Sequence, residues 1–311
     1  MRGPLAQRGV ALVTAMLIVA IAAAIAAQVV FAHQVWMRQM ENAADRGATD
    51  WLRRGALHWV STALIEDAAQ GSIDHLGERW AQGLPPLPVE GGFIRVAIED
   101  AQGRFNLNNL LRNNTSSAPD IAIFQRLLAG LLLNPGLADA LVDWIDADDV
   151  ARSGGAEDID YLNVSPPYRT SNQRLASVEE LRLVRGFDAK TVAALAPYVT
   201  VLPADSDINL NTASPLLLSA LLGVDLASAQ RIADTRIQNP LQNAGALVKL
   251  LPPGVPAPQV GAGVKSDFFL VAIDTQIGRH ERRTEALVHR AAGGKSTSVE
   301  WHRMQPLQKV S

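Results

Sequence analysis

The feature that most limits what this chain can become lies near its amino end. From residue 10 to residue 32 there is no charged side chain, and only Thr14 and Gln28 interrupt an apolar run carried by Val10, Leu12, Val13, Leu17, Ile18, Ile21, Ile25, Val29, Val30 and Phe31. As an α-helix rising ~1.5 Å per residue, the run covers roughly 30 Å or more, enough to cross the hydrocarbon core of a bilayer. Arg2 and Arg8 precede it, so the positive-inside rule keeps the first residues cytoplasmic and sends the remainder across. A cleaved secretory signal is the competing reading, because the alanine-rich stretch 22–27 offers small-residue cleavage sites. The run is longer than the ~7 to 15 apolar residues of a typical signal core, which favours the membrane helix.

The helix is expected to continue past the membrane. No Pro occurs between Pro4 and Pro85, and Val35, Trp36, Met40, Ala44, Ala48, Trp51, Leu52, Val60 and Leu64 recur at steps of three and four. A long stem, apolar at its start and amphipathic later, resembles that of type IV pilins and pseudopilins. Gln7-Arg8-Gly9 before Val10-Ala11-Leu12-Val13 resembles a short basic leader cut between Gly9 and Val10 by a prepilin peptidase. Pilin-like subunits usually carry Glu at the fifth position after the cut, whereas this chain has Thr14. Among type II secretion pseudopilins, that departure is characteristic of the large minor subunit, the K subunit of the general secretion pathway.

Downstream, Phe93-Ile94-Arg95-Val96-Ala97-Ile98-Glu99 reads as a strand, as do Phe268-Phe269-Leu270-Val271-Ala272-Ile273 and Thr284-Glu285-Ala286-Leu287-Val288-His289, with a further strand near residues 299–302. The long interval between the first strand and the rest reads as a helical insertion with internal echoes. Phe105-Asn106-Leu107-Asn108 returns as Ile208-Asn209-Leu210-Asn211, and Gly186-Phe187-Asp188 between two helices returns as Gly223-Val224-Asp225. In each, Gly suits a left-handed helix end and Asp caps the next helix. Ser177-Val178-Glu179-Glu180 is expected to form a capping box, and Ser214-Pro215 to open a helix.

These helix-turn-helix units also resemble helix-hairpin-helix modules, which grip nucleic-acid phosphates with backbone amides. A membrane-anchored DNA-binding protein is therefore the alternative reading. Against it, Asp188 puts a carboxylate where the hairpin would meet a phosphate, and 28 Lys plus Arg against 31 Asp plus Glu leave a net charge of −3.

The stretch Asp143-Trp144-Ile145-Asp146, Gly154-Gly155-Ala156-Glu157-Asp158, Tyr161 and Pro166-Pro167-Tyr168 resembles the most recognisable region of the K-subunit family. It is also the acidic centre of the chain. Asp143, Asp146, Asp148, Asp149, Glu157, Asp158 and Asp160 lie together with Arg152 as the sole base. With no cysteine in the chain and no histidine nearby, hard oxygen donors favour Ca²⁺ over softer metals. The spacing is not that of an EF-hand, and a solvated acidic loop is the alternative. The resemblance to calcium-binding K subunits favours Asp146, Asp148, Glu157 and Asp158 as main ligands, supported by Asp143, Asp149 and Asp160. Catalysis is not expected, because neither Gly-x-Ser-x-Gly nor His-Glu-x-x-His nor a complete Gly-x-x-x-x-Gly-Lys-Ser/Thr phosphate loop is present.

The resemblance implies an α+β pseudopilin fold, a long N-terminal helix packed on a small antiparallel sheet, with a large inserted all-α domain of helix-turn-helix (SAM-like) repeats. The expected organisation is a leader over 1–9, a membrane segment over 10–32, the rest of the stem and the first strand over 33–103, the inserted domain over 104–264, and the remaining strands over 265–311. It further implies a processed, methylated, single-pass protein of the bacterial inner membrane with its C-terminal portion in the periplasm. The implied role is to initiate and cap the pseudopilus tip with the I and J minor pseudopilins, after handling by the prepilin peptidase and the inner-membrane assembly platform. Thr14 would mark the tip position, since it cannot form the ion pair that the usual Glu makes with a neighbour's amino terminus.

Overall fold

The computed structural model describes residues 7–83, 85–258 and 260–305. Residues 1–6 of the expected leader, Arg2 among them, and the last six residues lie outside this range. Helix α1 (Gln7–Gln70) is 64 residues long, which is about 95 Å of helix. Its length is permitted by an alanine-rich sequence with no interior proline. Thr14, the polar interruption early in the apolar run, returns its hydroxyl to the carbonyls of Val10 (3.1 Å) and Ala11 (2.9 Å), so it leaves no donor unpaired. The apolar half is exposed and is long and apolar enough to cross a membrane. One stripe of the second half, Ala56, Val60 and Leu64 at four-residue steps, is buried. Burying Val60 and Leu64 stabilises the packing by about 1.5–3 kcal/mol each.

That stripe rests on a sheet. Strands β1 (Leu87–Val89) and β2 (Gly92–Asp100) form a hairpin. The chain then enters the insertion through β3 (Phe105–Asn106), β4 (Leu111–Arg112), β5 (Thr115–Ser116) and helices α2 (Ala118–Gly130), α3 (Leu137–Ile145), α4 (Asp158–Leu162) and α5 (Ala189–Leu195). It continues through β6 (Val199–Thr200), β7 (Ile208–Asn209), α6 (Pro215–Leu222), α7 (Leu226–Gln238) and β8 (Ala262–Gly263). The sheet resumes with β9 (Phe268–Ile277), β10 (His280–Arg290) and β11 (Thr297–Gln305). Its order is β1-β2-β9-β10-β11, antiparallel throughout. Alternation directs Ile94, Val96, Ile98, Phe269, Val271 and Ile273 onto α1. Gly92 allows the closest strand approach, because a Cβ there would lie 1.6 Å from the Gln276 carbonyl oxygen.

The insertion is accommodated by register. Asp100 and Phe269 are direct cross-strand partners, so the chain leaves and re-enters the sheet at one point and its closure asks nothing of the sheet. Ala101, Leu202, Phe268 and Leu287 form a small core that joins insertion to sheet.

Inside the insertion the repeated Asn-x-Asn segments have matching roles. Asn108 holds Leu175 by both backbone groups (Nδ2 to O 3.1 Å, N to Oδ1 2.8 Å), and Asn211 holds Leu241 the same way (3.0 and 2.9 Å). Asn106 and Asn209 accept the amides of Asn108 and Asn211. The segments also pair in parallel, β3 with β6 and β7 with β8. In the second repeat the chain passes almost directly from α7 to Leu241. In the first it makes an excursion from Asp146, past α4, before reaching Leu175.

Helix punctuation largely follows the residues. Gly186 and Gly223 have positive φ (85° and 66°), and Asp188 and Asp225 cap α5 and α7 by accepting the amides of Thr191 and Ser228. Ser214 caps α6 through the Leu217 amide. The expected capping box at Ser177 does not form. Its side chain makes no cap bond, the following segment Val178–Leu183 is a 3₁₀ helix, and Glu180 instead accepts from Trp144 Nε1 (3.1 Å) and the Ala176 amide (3.0 Å).

Candidate metal centre

The excursion from the first repeat brings the acidic residues to the end of α3. Asp143 and Asp146 are three residues apart, so the helix presents them on one side. Asp143 is fully buried. Its Oδ2 accepts the Arg152 amide (3.0 Å), while Oδ1 lies 3.4 Å from Arg152 Nε without forming a hydrogen bond. Gly155 is required beside it, since a Cβ would fall 1.7 Å from Asp143 Oδ2. Trp144 stacks edge-on against Tyr161 at 5.1 Å and Tyr168 at 6.1 Å, which fixes the loop against α3.

Asp146, Asp148 and Glu157 place carboxylate oxygens within 4.8 Å of one another. Asp146 Oδ1 and both oxygens of Glu157 are buried with no hydrogen-bond donor. Asp148 is exposed and accepts the Val150 amide at 2.9 Å. Burial, followed by repulsion from Asp143, Asp146, Asp148 and Asp149, pushes the Glu157 carboxyl up to about 7. Burial followed by Asp148 and Asp143 pushes Asp146 up to about 6, and burial raises Asp143 as well. Buried carboxylate oxygens that face one another without donors are poorly satisfied unless a cation joins them.

The remaining candidates are placed differently. Asp158 sits beside Glu157 but turns away, accepting from the Thr170 amide (3.0 Å) and hydroxyl (2.8 Å) and from Arg169 (3.0 Å). The Thr170 bonds, then Arg169, hold its carboxyl below the usual carboxylate range. Asp160 accepts the Glu157 amide (3.2 Å) and faces Arg185 (3.3 Å), which makes it a brace for the loop. Asp149 is exposed and outside the converging group. The geometry therefore unites Asp146, Asp148 and Glu157 with Asp143 adjoining, and separates Asp158 from them. All of these donors are hard oxygens, and the set fits Ca²⁺.

Gly9 and Val10, the expected processing junction, fall in the first turns of α1, and Val10 is exposed. A second carboxylate group, Asp67, Asp74 and Glu78, escaped the sequence reading because its members are spread through unremarkable sequence after the stem.

Comparison with known proteins gives a consistent picture. Two family models, both described as Type II secretion system (T2SS), protein K, match this chain, one over residues 103–204 and the other over 208–265, the two structural repeats. Type II secretion system protein K of Pseudomonas aeruginosa is 34% identical over 302 residues, covering 93% of this chain and 90% of that protein. Its counterpart in Aeromonas hydrophila is 31% identical over 313 residues, covering 93% and 95%. A chain in the crystal structure of the GspK-GspI-GspJ complex from the enterotoxigenic Escherichia coli type 2 secretion system superposes with a TM-score of 0.76 at 26% identity, covering 86% of this chain and 100% of that one.

Proposed function

Given that the chain belongs to the type II secretion system protein K family, we propose that it is the minor pseudopilin that initiates and caps the pseudopilus tip with I and J partners. The observation that carries this reading is the placement of the insertion. It grows from one point, Asp100 to Phe269, at a sheet packed on the far half of the stem, and a head of that size repeated around a narrow shaft would clash with its copies. Thr14 supports the same position. A subunit with none ahead of it needs no membrane-embedded carboxylate, and burying an unpaired one is costly.

The apolar start of α1 is compatible with a single-pass membrane anchor. We further infer cleavage between Gly9 and Val10 by the prepilin peptidase with methylation of the new terminus, delivery to the inner-membrane assembly platform, and a periplasmic C-terminal portion. The partners are inferred from the related chain, which was crystallised as a GspK-GspI-GspJ complex. The role is architectural, without catalysis. Calcium is proposed for the metal centre, held by Asp146, Asp148 and Glu157 with Asp143 adjoining. When bound it would supply positive charge that fastens the excursion between α3 and α4. The DNA-binding reading finds less support, because Asp188 and Asp225 already occupy the amides that open α5 and α7.

Mixing the purified chain with its I and J partners tests the proposal. A 1:1:1 complex is expected, and self-polymerisation without them would contradict it.

A further inference from the structure

Between the apolar span of α1 and the folded body lies a stretch of stem that the described residues of the body leave uncovered. The β9–β10 hairpin meets the stem at Asn42 and Asp45: His280 Nε2 lies 3.2 Å from Asn42 Oδ1, and a Cβ on Gly278 would stand 2.8 Å from Asp45 Oδ2. Every residue from 33 to 44 is exposed, and partial burial begins at Asp45. Yet this stretch is not polar, since Val35, Trp36, Met37 and Met40 are large apolar side chains in the open. The Trp36 ring has His33 as an aromatic neighbour, at 6.2 Å, and no other among the described residues.

The distances place this stretch at a bilayer surface. The helix runs unbroken from the uncharged segment ending at Ala32, so the surroundings of that residue also border the next turns. A bilayer has a hydrocarbon core of about 30 Å with headgroup layers of roughly 5–7 Å on each side. At ~1.5 Å per residue Trp36 stands about 6 Å and Arg38 about 9 Å beyond Ala32, and helical side chains lean toward the helix amino end, here back toward the membrane. That sets the indole at the edge of the hydrocarbon and the guanidinium among the phosphates. Indoles favour such a boundary, with their apolar body in lipid and their N–H in the wet layer. Arg38 is the first charged side chain after Arg8, precedes the first carboxylate, Glu41, and enters no ion pair among the described residues. Trp51 gives the contrast: it is 73% exposed, about 28 Å beyond Ala32 and clear of the headgroups, and Arg54 covers its ring.

We propose that residues 33–38 are an interfacial anchor seated in the phospholipid headgroup layer nearest the body, with Trp36 at the hydrocarbon edge and Arg38 on lipid phosphates. The anchor ends the span at Ala32 and holds the base of the sheet just above the bilayer. This inference rests on the reading of α1 as a membrane anchor.

The chain has no cysteine, so single nitroxide labels at Ala22→Cys, Met37→Cys and Trp51→Cys test it in the full chain. The chain is placed in nanodiscs of phosphatidylcholine and phosphatidylglycerol, and spin-label depth is read from collisions with oxygen, which favours lipid, and with a nickel chelate, which stays in water. The label at position 22 is expected in the hydrocarbon, the label at 37 within about 5 Å of the phosphates, and the label at 51 in water. Adding Trp36→Ala and Arg38→Gln should raise nickel access at position 37 about twofold. Access at 37 equal to that at 51, burial at 37 equal to that at 22, or no change in the double variant would each overturn the anchor while leaving the span intact. Water access at 22 would overturn span and anchor together. A label at 37 that is water-exposed in nanodiscs and becomes shielded only when the I and J partners are added would assign the face to a neighbouring stem instead.

Discussion

The Arg290 guanidinium lies 2.6 and 2.7 Å from the two carboxylate oxygens of Asp74, with both side chains almost wholly buried. The same Arg290 donates to the carbonyls of Ser266 (2.7 Å) and Leu64 (3.3 Å) and to Asp67 (3.1 Å), and the Ser266 amide donates to Asp74 (2.8 Å). One side chain at the end of β10 thus joins the sheet, the stem helix, the loop after it and the exit of the insertion. A second buried carboxylate completes this junction. Asp100 accepts from Asn209 (2.9 Å), Thr212 (2.6 Å) and Ser266 (2.7 Å).

Arg290→Leu should destabilise the chain by about 3–5 kcal/mol, because Asp74 is left buried without its counter-charge. Urea unfolding of the full chain in micelles measures this, and a loss under about 1 kcal/mol would show that the junction does not depend on the pair.

Asn108→Ala and Asn211→Ala should have similar effects, each about 2–4 kcal/mol, since each leaves one backbone amide and one carbonyl of a buried segment unpaired. A large effect at one site with none at the other would contradict the equivalence of the two repeats.

Calcium should raise the melting temperature by several degrees, since a ligand at 100 times its Kd adds about 2.7 kcal/mol. Asp146→Asn or Glu157→Gln should reduce the gain, and Asp158→Asn should affect it less. In chelator the sign with pH is set by raised carboxyls. The folded state keeps protons on Glu157 up to about 7 and on Asp146 up to about 6, against ordinary values of 4.5 and 3.8. Stability from this centre is therefore highest below pH ~4 and falls as pH rises through 7. Calcium should help most at pH 7 and above, and Glu157→Gln should flatten the difference. Identical melting curves in chelator and millimolar calcium at pH 7.5 would indicate a solvated acidic loop.

Processing should leave Val10 as the amino terminus, and a bulky residue in place of Gly9 should block it. Intact-mass measurement of the mature chain decides this. An amino terminus near Gln28 would establish a signal peptide instead.

The stem, the strands and the helical insertion were legible because each rests on periodicity within a short window. Alternation at Phe268 to Ile273 and four-residue steps at Ala56, Val60 and Leu64 needed no distant partner. What escaped depends on contacts far apart in sequence. Arg290 and Asp74 are 216 residues apart, and Glu180 is drawn from its expected cap by Trp144, 36 residues away. The acidic cluster was visible as composition, but the sequence grouped Asp158 with Asp146, Asp148 and Glu157, from which the fold turns it away. Glu157 has extended backbone (φ −115°, ψ −179°), so Asp158 next to it projects to the other side and meets Thr170. Asp143, read as a supporting residue, is the fully buried carboxylate beside the cluster.

Counting copies of this chain in isolated pseudopili tests the tip assignment most directly. Quantitative mass spectrometry of sheared fibres, with immunogold labelling of the same preparation, should find about one copy per fibre, at one end, whatever the fibre's length. Label repeated along the shaft, or abundance that scales with the major pseudopilin, would contradict it.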